Sequence, residues 1–197
     1  RNFQMQFLRP LLVDGRYRVA LRSGNTEILL EALTTLSLDV VLTTQVPQGS
    51  SAQTPFAARR IAEQPVGIHG TPARLQSRTL SDLLQDQPLI LPTDPTIRLG
   101  FQALVDQLGV QPRILADVDD MAMVRLLARE GVGLAIAPSV VVADEVAAGL
   151  LATSPFDLGL SETFYAVTLP RRFAHPALAN LLHGRLGSAD NDAPVRD

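Results

Sequence analysis

Residues 119–138, DDMAMVRLLAREGVGLAIAP, decide how the chain reads. Asp119 or Asp120 can cap a helix, because a short carboxylate accepts the first free backbone N–H groups and meets the positive end of the helix dipole. The helix should run to Arg129 or Glu130 and stop at Gly131. Residues 132–136 then read as an apolar strand running into Pro138. Gly131-Val132-Gly133 begins like a dinucleotide fingerprint, but that motif needs a strand before its glycines and a helix after them. Here the order is reversed and the third glycine is missing, so the glycines read as a helix stop followed by tight packing of a strand.

The same pattern extends outward on both sides. Residues 3–12 read as a short helix stopped by Pro10 or by Asp14-Gly15, and 16–21 alternate as a strand. Asn25 or Thr26 caps a helix to about Leu36, and 38–42 form a short apolar strand, a strand–helix–strand unit with parallel strands. A polar loop over 43–54 precedes strand character at 56–61 and 64–69. A short helix over 79–85 leads to a buried strand, Leu89-Ile90-Leu91, ended by Pro92. An amphipathic helix over 96–108 closes at Gly109, and 111–116 read as a strand. Beyond Pro138 come a helix over 139–148, a strand over 163–169, a last helix over 175–186 and a polar tail. Strands and helices alternate throughout, so the class is α/β with mainly parallel sheet.

Composition bounds the function. The 197 residues include 17 basic and 20 acidic ones, a formal net charge of −3, and every basic residue is Arg. That balance argues against a nucleic-acid-binding surface on this stretch. No run of about 18 apolar residues occurs, so no transmembrane helix is expected. The absence of Cys excludes disulfides, Cys-ligated zinc and thiol nucleophiles, and fits a cytosolic protein. The start, Arg1-Asn2-Phe3, carries neither signal peptide nor initiator Met, and reads as a piece cut from a longer chain.

Little catalytic or metal chemistry is visible. Asp117-Val118-Asp119-Asp120 lacks the glycine and distal glutamate of a calcium loop, and helix capping is the simpler reading. His175 and His183 stand eight apart, too far for a metal's i, i+4 pair, and each histidine, His69 included, is expected at a surface or half-buried position. With no nucleophile elbow and no Walker loop, no enzyme, no catalytic residue, no metal and no cofactor is expected.

Two stretches carry a family resemblance. Residues 21–27 through 38–42, a strand, a Thr-started helix and a short strand with Asp39, form the first. Residues 119–138 form the second. In that order they resemble the effector-binding domain of LysR-type transcriptional regulators over about residues 3–186. Leu89-Ile90-Leu91-Pro92 and Phe173-Ala174-His175-Pro176-Ala177 agree with the family's mid-domain turn and terminal helix. Asp119-Asp120 and His175-Pro176 most resemble the sodium/proton-antiporter-regulator branch. The chain departs from the family by beginning at its first helix, without the preceding strand or winged helix-turn-helix domain.

The resemblance implies a two-lobed, periplasmic-binding-protein-like (type II) α/β fold with two crossover segments, near 56–65 and 156–163. One regulatory lobe would comprise 1–62 with 160–186, the other 63–159, and 187–197 a flexible tail. It also implies a cytoplasmic ligand-sensing domain of a DNA-binding regulator, with a small-molecule or ion effector between the lobes. DNA would be reached only through the missing domain. The chain would form a homo-oligomer, a dimer or a tetramer in the full-length protein, using Phe3, Phe7, Leu8 and Leu11 of the first helix against Leu104 and Leu108 of a partner. The alternatives are an extracytoplasmic solute-binding receptor of the same fold and, more remotely, an enzyme on this scaffold.

Ligands in open α/β sheets sit beyond the carboxyl ends of strands, where helix starts offer N–H groups suited to anions. Asn25 and Thr26, Thr43 and Thr44, and Pro92, Thr93, Thr96 and Arg98 follow such strands, and form the candidate ligand-binding set. The resemblance places effector contacts at Thr26, Thr44 and Pro92–Thr93. For Thr26 and Thr96 helix capping competes with ligand contact, and for Arg98 a solvated helix face does.

Overall fold

The computed structural model describes residues 2–47, 56–170 and 175–183. The chain divides into a central unit, Arg1–Phe3 with Glu63–Glu162, and a terminal unit, Gln4–Ala62 with Thr163–Asp197.

In the central unit, β3 (Pro88–Pro92) pairs in parallel with β4 (Arg113–Val118) and with β5 (Leu134–Pro138). β2 (Ala57–Gly70) pairs antiparallel with β5, Ile68 opposite Ile136, and with the two-residue β6 (Ala152–Thr153). The sheet is therefore mixed, a correction to the mainly parallel expectation. β3 and β5 lie at its centre, where both faces are covered, and so consist of uninterrupted apolar residues. Helices α3 (Leu80–Asp86), α4 (Pro95–Leu108), α5 (Met121–Arg129) and α6 (Ala143–Ala147) accompany them. Ile68, Leu83, Leu84, Leu89, Ile97, Phe101, Leu134 and Ile136 build the core.

The quoted stretch folds as read. Asp120 caps α5 by accepting the Ala122 N–H at 2.8 Å. Gly131 has φ +70, the left-handed conformation that stops a helix and that side chains resist. At Gly133 an added Cβ would lie 2.7 Å from the Pro88 carbonyl oxygen, so only glycine lets β5 start this close to β3. Residues 139–148 are instead a 3-10 turn, Ser139–Val141, followed by α6. The β-branched run Val140-Val141-Val142 disfavours a continuous α-helix there.

In the terminal unit, which takes α1 (Asn2–Asp14) from Gln4 onward, that helix continues through Pro10 and ends before Gly15. α2 (Thr26–Thr34) packs on β1 (Val41–Thr43), which pairs antiparallel with β7 (Ser161–Thr168), Val41 opposite Val167. Leu33, Val41 and Val167 form the buried cluster, with Leu29, Leu30, Leu38, Phe56 and Leu169 against it. α7 is Pro176–His183. The expected strand over 16–21 does not form. Tyr17 and Val19 are partly covered while Arg16, Arg18 and Ala20 are exposed, so the alternation survives without a ladder partner among the described residues. The parallel strand pair expected there is thereby lost.

Some expectations about α1 are also corrected. Phe3, Phe7 and Leu8 are buried within the chain, and Leu104 and Leu108 pack against the central core. On these two helices the exposed large apolar residues are Met5, Leu12 and Val13 of α1 and Leu99 of α4. The loop over 48–55, Phe173-Ala174, the end of the last helix beyond 183 and the tail lie outside the described residues.

Candidate functional site

In the central unit, the end of β3 and the start of α4 bring Pro92, Thr93, Thr96 and Arg98 together. The Thr93 N–H donates to the Val118 carbonyl at 2.9 Å, extending the β3–β4 ladder by one bond and fixing the turn. Pro95, with no N–H to lose, opens the helix, and Asp94 caps it. One Asp94 carboxylate oxygen accepts from the Thr96 N–H at 2.9 Å and the Ile97 N–H at 3.1 Å. Thr93 and Thr96 are exposed. Arg98 donates from Nε to the Pro92 carbonyl at 3.1 Å, and its guanidinium pairs with Asp117 of β4.

Two expectations change on this geometry. The Thr96 N–H is not open to an anion, because Asp94 holds it and adds negative charge to the helix start. Arg98, read as a ligand contact or a solvated helix-face residue, is joined to a carboxylate of its own unit. Beside α4 and β4 lies a half-open groove of about 450 Å³, lined by Arg98, Leu99, Ile114 and Asp117 among others. Of the candidate residues, Arg98 alone is in that lining.

In the terminal unit, Asn25 caps α2, its side-chain oxygen accepting the Glu27 N–H at 2.8 Å. Thr26 is then the first helical residue and exposed, so it is not the cap. Thr43 ends β1, 9% exposed, with its hydroxyl accepting the Gln45 N–H at 3.2 Å. Thr44 follows, half-buried.

Several ionisable groups escaped the sequence reading. Glu162, in the central unit at the start of β7, is 4% exposed. Burial, reinforced by the negative charge of Asp94, pushes its carboxyl up to about 7. Nothing local marks it; its environment comes from α4, far away in the chain. Asp94 was readable, since Asp before Pro95 is a cap followed by a preferred first helical residue. His69 is fully buried, against expectation. Its Nε2 donates to the Ala137 carbonyl at 3.0 Å, leaving Nδ1 to accept from the Thr153 hydroxyl at 3.0 Å. Burial holds its pKa below the ordinary histidine value, so the ring is a neutral structural group.

Among the described residues no group of three or more His, Asp or Glu is placed to hold a metal ion. No helix among them is long and apolar enough to cross a membrane.

Comparison with solved structures gives extensive likeness of fold. The regulatory domain of HypT from Salmonella typhimurium superposes with TM-score 0.67 at 16% identity, covering 93% of this chain and 89% of that one. The regulatory domain of CcmR from Synechocystis PCC6803, in complex with 2-PG, gives 0.69 at 14% identity, covering 96% and 92%. That of CrgA from Neisseria meningitidis, a LysR-type transcriptional regulator, gives 0.66 at 19%, covering 94% and 93%. No curated protein matches the sequence. Residues 15–183 match the family model described as the LysR substrate binding domain. With its mixed α/β architecture of the type II periplasmic-binding-protein kind, the chain belongs to the LysR substrate-binding domain family.

Proposed function

We propose that the chain is the cytoplasmic ligand-sensing part of a LysR-type regulator, not an enzyme, and that its two units serve as the family's regulatory lobes. On this reading residues 1–62 with 160–186 form one lobe and 63–159 the other. A small effector is held by Pro92, Thr93, Thr96 and Arg98 of one lobe and by Asn25, Thr26, Thr43 and Thr44 of the other. Effector binding then biases the arrangement of the lobes, and a tethered DNA-binding domain responds. The solute-receptor alternative is not favoured, given the family match.

The observation that carries the reading is the concentration of exposed hydroxyls in the loop after β3, on a domain of this family. HypT and CcmR are described bound to bromide and 2-PG respectively, so ligands as small as these suit the fold. Here Asp94 already caps α4, so the effector is expected to use the Thr93 and Thr96 hydroxyls rather than helix N–H groups. Membership of the sodium/proton-antiporter-regulator branch rests on Asp119-Asp120 and His175-Pro176 alone. The homodimer reading rests on the exposed apolar residues of α1 and on Leu99, which a second copy would cover.

The test is a thermal-shift screen for a ligand, followed by calorimetric titration of wild type, Thr26→Val and Thr93→Val. Loss of a hydroxyl bonded to a charged ligand costs roughly 1.5–3 kcal/mol, about ten- to a hundredfold in affinity. Unchanged affinity in both variants would reject the site.

A further inference from the structure

β2 and β7 both run from one unit into the other, changing over at Ala62/Glu63 and Glu162/Thr163. Within the central unit the two changeover points are tied side by side. The Val66 N–H donates to the Leu160 carbonyl at 2.9 Å, and the Ser161 hydroxyl donates to Glu63 Oε1 at 2.6 Å. Alternation along β7 then turns Ser161 and Glu162 to opposite faces. Ser161 and Glu63 are exposed, while Glu162 is buried. Arg98 of α4, the helix that Asp94 caps, is engaged by Asp117 and the Pro92 carbonyl.

We propose that Glu162 makes the β7 changeover a proton-operated hinge: uncharged, it holds the strand against the central unit; charged, it loosens that hold. Among the described residues the ionisable group acting on it is Asp94 at the start of α4, which repels its charge. Glu63, on the adjacent strand, has its Oε1 turned to Ser161. Burial is the largest influence, and with Asp94 it brings the titration to about pH 7. A charged Glu162 can recover its hydration only if β7 lifts locally. The hinge does not depend on what the effector is.

Hydrogen exchange measured by mass spectrometry on wild type, Glu162→Gln and Asp94→Asn between pH 5 and pH 8 tests this. The readout is local opening of residues 157–168, corrected for intrinsic exchange. An ordinary carboxyl in the open state and the raised one in the closed state give about a seventyfold increase in opening across the range, levelling off above about pH 7. Glu162→Gln, which cannot charge, should be flat. Asp94→Asn keeps a good helix cap but removes the repulsion, and should level off at lower pH. Protection of β3 and β5 should stay constant with pH. A flat wild type overturns the hinge, as does a wild-type profile in Glu162→Gln, an unmoved levelling point in Asp94→Asn, or β3 and β5 loosening in step with β7. If Glu162→Gln does not fold, the wild-type and Asp94→Asn profiles still decide.

Discussion

Gly133→Ala is the substitution whose outcome the packing specifies best. The new Cβ would meet the Pro88 carbonyl oxygen at 2.7 Å and Ile90 Cγ1 at 3.3 Å. The oxygen belongs to β3, whose next residue, Leu89, is in register with Leu134 of β5 and with Ile114 of β4. It cannot swing aside as a side chain would, so two central strands must separate. Overpacking of this kind costs about 1–3 kcal/mol, and a backbone obstacle sets it near the top. The smaller conformational freedom of alanine in the unfolded chain returns about 0.4–1 kcal/mol. The net loss is therefore about 2 kcal/mol, a fall of about 4–8 °C in Tm for a chain this size. Gly100→Ala is the control, because its Cβ would overlap Leu160 Cδ2 at 2.6 Å, the movable end of a side chain. It also gains up to about 1 kcal/mol of helix propensity within α4 and should come out near neutral. Urea unfolding followed by circular dichroism, with calorimetric Tm, reads both. If Gly133→Ala costs no more than Gly100→Ala, the packing argument is wrong.

Two further outcomes follow from capping and burial. Asn25→Ala and Asp120→Ala should each lose about 1 kcal/mol in chemical denaturation, whereas Thr26→Val should change stability by less than about 0.5 kcal/mol, since Thr26 is not the cap. His69 has its folded pKa depressed by burial, so its contribution is present above the ordinary histidine value and is lost as pH falls below it. Glu162 acts in the opposite sense over this range and is common to both proteins, so the readout is the difference: below about pH 6.5 His69→Gln, which cannot charge, should lose ground more slowly, or gain more, than wild type.

Legibility in the sequence tracked how local each cause was. β3 and β5 were readable because a strand covered on both faces must be apolar at every residue. α5 and its stop were readable because Asp120 and Gly131 act within one turn of the helix they bound. Residues 16–21 misled because alternation reports half-burial, which Tyr17 and Val19 do show, and not the presence of a neighbouring strand. β6, with two residues, is too short to leave a pattern. Thr93 and Thr96 are singled out in the sequence by their place after a strand, and both lie exposed at the end of β3 and the start of α4. Asp94 closing the helix start, and Asp117 holding Arg98, are partnerships the candidate list did not contain. The environments of His69 and Glu162 are made by segments distant in the chain and have no local signature.

The pairing of β1 with β7 also bears on the order of assembly. Val41 and its partner Val167 are well over a hundred residues apart in the chain. By contrast, apart from its first three residues, the central unit is an unbroken stretch from Glu63 to Glu162. During synthesis that stretch has all its strands to hand, while β1 must wait for a partner not yet made. Closing so long a loop is slow, so the terminal unit's sheet is the step expected to limit folding. Until then the apolar edge of Val41 and Leu42 is open to a wrong strand from another chain. The arrangement that lets both units share two strands thus also leaves the nascent chain exposed to mispairing until β7 emerges.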